Sequence, residues 1–358
     1  TSGKPGPVHI QIPVDLMTQT MPETTKLHSA RKESVTLQRS DILTTSKAIN
    51  KSKKPCVIVG GGARSAKRKI KIFVETLQAP TISTINARDI LGQHHFHIPA
   101  SPSLESVRKL LKEADLVLAL GTEIGQTDFD MYEDGLFPDL KNLIRVDIDE
   151  YQLKQSPEMT QNVRGDVDEF CTEILKYLKP KYNNSSKKVV KNCIASVQLE
   201  IPTYYKPCEL LLSTIIQILP EATLIGDSTQ PIYYGNLYCD ITTKNRWFNS
   251  ATGFGTLGYA LPAAIGAQLA SKDKPVVCII GDGGLQFTLT ELGTAIDERV
   301  PVLFLIWNNS EYKEIRTYME SQSITPVGIS PKPPKLESIA KSYGIEFRNI
   351  ECASELSK

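Results

Sequence analysis

The sequence lacks several features that would assign it to large classes of proteins. None of its seven cysteines forms a C-x-x-C pair, and Cys56 and Cys278 fall inside apolar runs, which favours reduced, buried thiols over disulfides or a zinc site. Lysine and arginine (41) nearly balance aspartate and glutamate (40), so no basic excess is available to bind nucleic acid or an anionic membrane surface. No apolar run approaches the roughly 20 residues of a membrane helix, and the first residues lack a signal-peptide pattern. These absences predict a cytoplasmic globular protein with neither nucleic acid nor membrane as a partner.

Two regions of the chain alternate short apolar runs with amphipathic helical patterns. With 358 residues and 41% apolar content, the chain is long enough for two or three domains. In residues 41–178 the helical spacing of Ile70, Phe73, Val74 and Leu77 lies between two apolar runs, and residues 201–358 repeat this order of elements. Strand, helix, strand in this order predicts parallel sheets, so we expect an α/β protein with two doubly wound parallel-sheet domains. The predicted strands span residues 56–59, 81–85, 116–120, 143–148, 223–226, 275–280 and 302–307.

The remaining segments are predicted to be connectors or parts of other domains. Residues 17–40 are polar without a sustained period, and residues 179–200 begin with a charged stretch rich in serine and asparagine, so both are predicted to be linkers. Residues 1–16 begin with a glycine-proline loop, and the alternation of Val8, Ile10 and Ile12 predicts a strand. We interpret residues 1–16 as the tail of a domain whose body is absent.

Polar residues follow two consecutive predicted strands of the second region. Gly281-Asp-Gly-Gly284 follows one strand and precedes a helix with a predicted capping box from Thr288 to Glu291, and Asn308-Asn309 follows the next strand and precedes a helix at 312–319. In an open parallel sheet, ligands bind at the carboxyl ends of strands, where helix N-termini favour anions. Carboxylate, amide and backbone oxygens suit Mg²⁺, and glycines allow the backbone to approach a diphosphate closely. Together these residues indicate a diphosphate held through magnesium.

An aspartate between glycines is, on its own, more typical of plain turn geometry. The joint pattern is more specific: a G-D-G, 24 intervening residues (284–307) and then N-N. It resembles the thiamine-diphosphate motif of 2-oxo acid decarboxylases and acetolactate synthases. Residues 249–267 resemble the segment that precedes this motif in the acetolactate synthase group, and Gly6–Pro13 resembles the end of that group's first domain. The sequence is therefore similar to a fragment of an acetolactate synthase large subunit or 2-oxo acid decarboxylase that lacks most of the pyrimidine-binding domain.

The resemblance implies a set of cofactor and metal ligands. Asp282 and Asn309 would bind Mg²⁺ with their side chains, and Glu311 would bind it with its backbone oxygen. Leu257 would be the apolar wedge beneath the bent cofactor, although an ordinary core leucine is the alternative. The other residues that the resemblance places at thiamine diphosphate are Thr229, Gln230, Pro231, Gly255, Gly283, Gly284 and Tyr312.

Three residues are candidates for a direct catalytic role: Leu257, Gln230 and Glu314. For Gln230, a plain loop residue is an equally good interpretation. Glu314 lies near the start of a helix, where a carboxyl group can protonate the product after CO₂ leaves or pair with a cationic substrate tail. The alternative for Glu314 is an exposed side chain in an i, i+4 pair.

The resemblance implies decarboxylation of a 2-oxo acid, for which the cofactor supplies the electron sink. We expect an acetolactate synthase-like reaction with carboligation. The alternatives are a non-ligating decarboxylase of a guanidino-type or similar 2-oxo acid, which would give an aldehyde, and a non-catalytic structural or regulatory relative. A nicotinamide or flavin oxidoreductase is disfavoured because no acidic residue follows a complete glycine fingerprint at the required distance.

FAD is also disfavoured as a cofactor. Residues 121–126 replace the flavin-contacting run of the biosynthetic synthases, and Gly60-Gly-Gly62, with Ser65 in place of the third glycine, is better interpreted as a turn. The three histidines at 94, 95 and 97 have no recognised metal-ligand spacing and are predicted to lie at the surface.

The resemblance also bears on assembly. In this family the cofactor lies between domains of two subunits, so we expect a homodimer or homotetramer. The activating glutamate comes from the first domain of a partner subunit, and residues 201–358 are expected to lack the last strand of their domain. We therefore expect this chain alone to be inactive.

Overall fold

The computed structural model describes residues 3–20, 35–129, 137–155, 161–182, 185–240, 246–332, 334–351 and 355. Within these residues the chain forms two sheets in which all paired strands run parallel, with helices packed against both. This confirms the predicted α/β class with two parallel-sheet domains.

The first sheet has six strands in the order β3-β2-β1-β4-β5-β6. This is the strand order of doubly wound dinucleotide-binding folds, with the reversal between β1 and β4. The strands are β1 (Pro55–Val59), β2 (Thr81–Ser83), β3 (His97–Ile98), β4 (Leu116–Leu120), β5 (Leu143–Asp147) and β6 (Gln161–Arg164). The helices are α1 (Arg39–Lys51), α2 (Lys67–Leu77), α3 (Arg88–Leu91), α4 (Glu105–Glu113), α5 (Gln126–Phe129), α6 (Glu150–Lys154) and α7 (Val167–Ile174).

The first sheet is buried on both faces because its strands are continuously apolar. In β1, Cys56 and Ile58 point to one core cluster, whereas Val57 and Val59 point to the other. Alternate side chains of a strand face opposite sides, so a run of apolar residues requires helices on both sides. Helix α2 supplies Ile70, Phe73, Val74 and Leu77, which are all buried, as the helical spacing predicts.

The second sheet has four strands in the order β10-β9-β7-β8. They are β7 (Thr223–Gly226), β8 (Arg246–Asn249), β9 (Val276–Gly281) and β10 (Val302–Trp307). The helices of this part are α8 (Ser186–Leu199), α9 (Lys206–Ile218), α10 (Gln230–Tyr238), α11 (Ala260–Ala270), α12 (Asp282–Phe287), α13 (Glu291–Asp297), α14 (Lys313–Ser321) and α15 (Leu336–Ser342).

One apolar cluster joins the two sheets. It contains Ile58 and Val117 from the first sheet together with Leu224 and Val277 from the second. Helix α8 contributes the buried Val190, Cys193 and Val197 to the same cluster. The two domains therefore share a continuous core, and α8 lies inside the stretch 179–200 that was predicted to be a linker.

The predicted strand at the N-terminus does not form. Residues 5–13 have no regular secondary structure, and Val8, Ile10 and Ile12 are 77%, 75% and 56% exposed. An alternating pattern becomes a strand only where a neighbouring strand accepts its backbone hydrogen bonds, and none of the described strands pairs with this segment.

Two further predictions can be compared with the described residues. The six described cysteines are all free, and every one except the half-buried Cys239 is buried, whereas Cys352 lies outside the described residues. Among the helices described, none has both the length and the apolar content that a membrane span requires.

Candidate cofactor site

A cavity of about 330 Å³ lies where the strands of the second sheet end. Because the sheet is parallel, the loops after β7, β8, β9 and β10 all lie at one edge, and all four contribute to the cavity. All of the residues predicted to bind cofactor or metal line it, with the exception of Pro231, which is buried in the first turn of α10. The predicted residues in its wall are Thr229, Gln230, Gly255, Leu257, Asp282, Gly283, Gly284, Asn309, Glu311, Tyr312 and Glu314.

The predicted metal ligands lie together at one part of this cavity. Asp282 is 2% exposed, and burial raises the pKa of its carboxyl group, while the backbone N–H groups of Asn309 and Ser310 oppose that rise. Its Oδ2 atom is buried without a hydrogen-bond partner. Burying an unpaired carboxylate oxygen is costly unless a cation completes its coordination. The donor set therefore fits a divalent cation.

The second loop of the candidate metal site contains Asn308, Asn309 and Ser310. Ser310 has a φ of +55°, and Asn308 Oδ1 accepts a hydrogen bond from its N–H at 3.1 Å. Asn309 Oδ1 accepts from the N–H of Glu311 at 3.2 Å. The Glu311 carboxylate pairs with Arg316 and with Lys313, so the side chain is engaged in ion pairs and its pKa is lowered, chiefly by the Arg316 hydrogen bond. This arrangement is compatible with a backbone-oxygen role for Glu311.

Glycines are required where the walls of the cavity approach one another. A Cβ atom on Gly283 would lie 2.5 Å from Tyr312 Cε1, and one on Gly284 would lie 2.7 Å from Asp227 Oδ2. Gly255 has a φ of +65°, which disfavours larger residues. At these positions any larger residue would displace a neighbouring side chain or strain the backbone.

Asp227 is a residue of this site that the sequence analysis missed. It follows β7, is 0% exposed, and its Oδ2 accepts a hydrogen bond from the N–H of Gly258 at 2.8 Å. Burial raises the pKa of Asp227 to about 6, against the N–H groups of Gly258 and Gly281, which lower it. Since Leu257 precedes Gly258, this carboxyl group fixes the turn that carries Leu257. An aspartate directly after a predicted strand was the available signal.

The capping box predicted between Thr288 and Glu291 is wrong. Helix α13 begins at Glu291 with Thr290 as its N-cap, and no side chain caps it. The hydroxyl of Thr288 instead donates to the carbonyl oxygen of Gly258 at 2.8 Å. Tertiary contact with the Leu257 turn therefore replaces the local cap.

Three polar side chains form a hydrogen-bonded network in the cavity wall. Trp307 Nε1 donates to Gln230 Oε1 at 3.1 Å, and Gln230 Nε2 donates to Glu314 Oε1 at 3.2 Å. Burial raises the pKa of Glu314, while the Gln230 amide and Lys313 oppose that rise. Glu314 is half-buried in this wall, so the alternative of an exposed i, i+4 partner is wrong. Other residues that sequence reasoning did not place here are Ser228, Tyr233, Lys313 and Ile315.

In the first sheet, the turns that follow β1 and β4 are in direct backbone contact. A Cβ atom on Gly60 would lie 2.2 Å from the carbonyl oxygen of Gly121, and the N–H of Gly62 donates to that oxygen at 3.0 Å. This close backbone contact is a sufficient reason for the glycines, and no bound nucleotide is needed to explain them. It agrees with the interpretation of Gly60-Gly-Gly62 as a turn.

The histidine loop was interpreted only partly correctly. His95 is exposed, but His97 lies buried in β3, where Ser83 Oγ and the carbonyl oxygen of Gly92 each contact one ring nitrogen at 2.7 Å. His94 and His95 lie close enough to Glu75 to share a metal ion. However, His94 Nδ1 accepts from the N–H of Phe96, which leaves Nε2 as the donor to Glu75 and favours a hydrogen bond over metal ligation.

Comparisons with known proteins agree with this geometry. Residues 42–174 match the family model for the central domain of thiamine pyrophosphate enzymes, and residues 227–358 match that for their C-terminal TPP binding domain. Asp227 is thus the first residue matched by the second model.

The similar curated proteins carry names of two kinds, 2-ketoarginine decarboxylase and acetolactate synthase. The chain is 32% identical over 365 residues to a probable 2-ketoarginine decarboxylase of Pseudomonas aeruginosa, which covers 100% of this chain and 64% of the relative. It is 28% identical over 358 residues to the acetolactate synthase isozyme 1 large subunit of Escherichia coli, covering 96% of this chain and 62% of the relative. A probable acetolactate synthase large subunit of Methanococcus aeolicus is 25% identical over 399 residues, covering 100% and 65%. The chain therefore spans less than two thirds of the length of these relatives. From the two matched domains, we conclude that it belongs to the thiamine pyrophosphate enzyme family.

Proposed function

We propose that the protein containing this chain decarboxylates a 2-oxo acid with thiamine diphosphate and Mg²⁺. The observation that supports this most directly is the buried, unpaired Oδ2 of Asp282, in the same cavity as Asn309 and beside two crowded glycines. An unpaired oxygen of this kind is costly in a folded protein and is relieved by a cation.

Residues that line the cavity would hold the metal ion and the cofactor. Asp282, Asn309 and the backbone oxygen of Glu311 would bind Mg²⁺ and, through it, the diphosphate. Leu257 is half-buried in the cavity wall, where it would support the cofactor from below. When bound, thiamine diphosphate supplies the electron sink that lets CO₂ leave a 2-oxo acid.

The fate of the product depends on Glu314. Burial raises the pKa of its carboxyl group, and Gln230 Nε2 donates a hydrogen bond to Oε1, which orients that group within the cavity. Proton donation from Glu314 would yield an aldehyde, as in a non-ligating decarboxylase. Carboligation, as in the acetolactate synthases to which the chain is similar, is the second candidate.

Glu314 also suggests a class of substrate. Among the described residues it takes part in no ion pair, so its carboxylate is available to a cationic group. A guanidinium can pair with a carboxylate through two parallel hydrogen bonds. The name of the Pseudomonas relative includes 2-ketoarginine, which carries such a group. We therefore place guanidino 2-oxo acids first in a substrate panel.

Calorimetric titration of the full-length protein with thiamine diphosphate, with and without Mg²⁺, tests the proposal. We expect binding that requires Mg²⁺. Binding without Mg²⁺, or no binding at all, would contradict the proposal and favour a non-catalytic relative.

Products and the Glu314→Gln variant then separate the candidates. Acetolactate from pyruvate would indicate carboligation, and an aldehyde would indicate simple decarboxylation. If Glu314 donates the proton, Glu314→Gln lowers kcat for every substrate by about 10²-fold or more. If Glu314 recognises a cation, the variant raises KM for a guanidino 2-oxo acid only, and a neutral 2-oxo acid of equal length is the control.

The proposed assembly is a homodimer or homotetramer, since the cofactor in similar enzymes lies between subunits. Light scattering of the full-length protein measures the mass of the assembly, and a monomer that binds the cofactor would contradict this part of the proposal.

A further inference from the structure

Helix α10 ends against the first domain, and that domain satisfies its last carbonyl groups. The final carbonyls of a helix have no partner within the helix. The guanidinium of Arg88 in α3 donates to the carbonyl oxygens of Gly235 at 3.4 Å, of Cys239 at 2.7 Å, and of Asn236. The first domain therefore supplies a cap to a helix of the second.

A backbone contact adds to this cap. The N–H of Ser101, which precedes α4, donates to the carbonyl oxygen of Leu237 at 2.9 Å. Together with Arg88, this N–H binds the carbonyl groups of three residues near the end of α10 (Gly235, Asn236 and Leu237) and of the C-cap residue Cys239. The contact is thus distributed over the whole C-terminal turn.

The burial of the Arg88 guanidinium is energetically unfavourable. It is 3% exposed, and burial lowers its pKa to about 10, with Cys239, Asp240 and Asp128 acting in the opposite direction. Within the described part of the chain it makes no ion pair, and its hydrogen bonds go to the carbonyl end of α10, where the helix dipole also favours a positive charge. A buried guanidinium costs stability unless its hydrogen bonds compensate, and its Nε atom has no partner.

The other end of α10 lies in the candidate cofactor site. The helix begins at Gln230, whose side chain joins Trp307 to Glu314 in the cavity wall. The nine helical residues span about 13 Å, and consecutive backbone hydrogen bonds connect the two ends. A displacement at the Arg88 end would therefore move Gln230.

We propose that Arg88 is a positioning residue of the cofactor site, which acts from the first domain by holding α10 in place through its C-terminal carbonyls. The inference rests on the proposed function, because it assigns a consequence for cofactor binding. Arg88 itself lines no part of the site.

The test uses the full-length protein and a matched buried arginine. Arg145 is 1% exposed and donates to the carbonyl oxygens of Thr122 at 2.7 Å and Gln152 at 3.0 Å, all within the first domain. Arg88→Met and Arg145→Met remove similar charges and bonds, so both should lower the melting temperature. Only Arg88→Met should weaken Mg²⁺-dependent binding of thiamine diphosphate, by about tenfold, which is the lower limit of the loss known for groups that directly orient metal ligands.

Hydrogen exchange of residues 229–239 provides a readout that does not depend on the cofactor. We expect faster exchange in Arg88→Met through both 229–234 and 235–239, and no change in this helix in Arg145→Met. Arg88→Lys, which keeps the charge but has fewer and differently placed donors, should give an intermediate result in both measurements. If Arg88→Met does not fold, Arg88→Lys tests the inference by the same two measurements.

Two results would overturn the inference. Exchange that increases only in 235–239 would show that the cap is local, and equal losses of cofactor affinity in the two methionine variants would show a general effect of destabilisation. If the wild-type protein binds no cofactor, the proposed function fails, while the exchange data still decide whether Arg88 controls the Gln230 end of α10.

Discussion

Both sheets are parallel, so the strand ends of each lie at one edge, but the two edges differ in how closely the loops pack there. In the first sheet, Gly60 and Gly121 bring two backbone turns into contact, and a Cβ atom on Gly60 would lie 2.2 Å from the Gly121 oxygen. In the second sheet, the corresponding edge holds a cavity of about 330 Å³ beside the buried carboxyl groups of Asp227 and Asp282. At the ends of β1 and β4 the space is filled by backbone, whereas the ends of β7 and β9 carry buried carboxylate oxygens without protein partners.

This difference separates the scaffold from the candidate site. Buried polar groups are normally paired, so unpaired oxygens on Asp227 and Asp282 are exceptions that require a reason. For Asp282 the reason is a cation site, because a bound cation would complete the coordination of this oxygen. A parallel sheet alone therefore does not indicate function, whereas the unpaired groups at its edge do.

The largest expected effect is the loss of cofactor binding when Asp282 is changed. Asp282→Ala removes the buried carboxylate, and we expect Mg²⁺-dependent affinity for thiamine diphosphate to fall by at least about 100-fold, the upper end of the loss seen for outer-shell partners. Calorimetry on the full-length protein measures this. Asp147→Ala is the control, since Asp147 is the last residue of β5 in the first sheet and accepts a hydrogen bond from the N–H of Asp149. Equal losses in both variants would contradict the assignment.

The next effect distinguishes glycines that serve packing from glycines that serve the site. In Gly60→Ala the added methyl group meets backbone at Gly121, so we expect a loss of about 1–3 kcal/mol in the free energy of unfolding, as for overpacking. Denaturant titration measures this loss.

Gly283→Ala is the matched variant of the second sheet. Its methyl group meets the Tyr312 ring, which can move into the cavity, so stability should change less while cofactor affinity falls. If Gly283→Ala lost more stability than Gly60→Ala and bound the cofactor normally, the comparison between the two edges would be wrong.

The sequence predicted the strand ends well because their signals are local. The apolar runs Leu116–Leu120, Thr223–Gly226 and Val302–Trp307 become strands with those limits. Each run is long enough for a buried strand and is followed directly by a glycine or a polar residue, so no distant contact is needed to define where it ends. The positions of Asp282 and Asn309 beside one cavity follow from the same rule.

The predictions that failed depend on contacts between distant residues. The alternation at Val8, Ile10 and Ile12 needs a partner strand, and Thr288 forms a bond to Gly258 instead of a local cap. His97 is buried in contact with Ser83 and with the carbonyl oxygen of Gly92, and no local sequence pattern predicts this burial. In each of these places the conformation depends on tertiary structure and not on the local sequence pattern.

A smaller effect concerns His97 in the first domain. Burial lowers its pKa to about 4, against about 6.5 in an unfolded chain, so between these values the unfolded state binds more protons. Stability is therefore present above pH 6.5 and is lost as the pH falls, by at most about 1.4 kcal/mol per pH unit. His97→Gln should be less stable at pH 7 and show a shallower loss on acidification in urea titrations. Parallel curves for the two proteins would rule out His97 as the source.

The smallest effect has the opposite sign and belongs to the second domain. Burial raises the pKa of Asp227 to about 6, so between about pH 4 and 6 the folded protein holds a proton that the unfolded chain has released. The Asp227 contribution to stability is thus present at low pH and is lost as the pH rises through about 6. Asp227→Asn keeps an oxygen for the Gly258 N–H and removes the titration, so the variant should gain stability relative to wild type as the pH rises from 5 to 7. Urea titrations of the cofactor-free protein across this range measure the difference, and a constant difference at every pH would show that Asp227 does not titrate there.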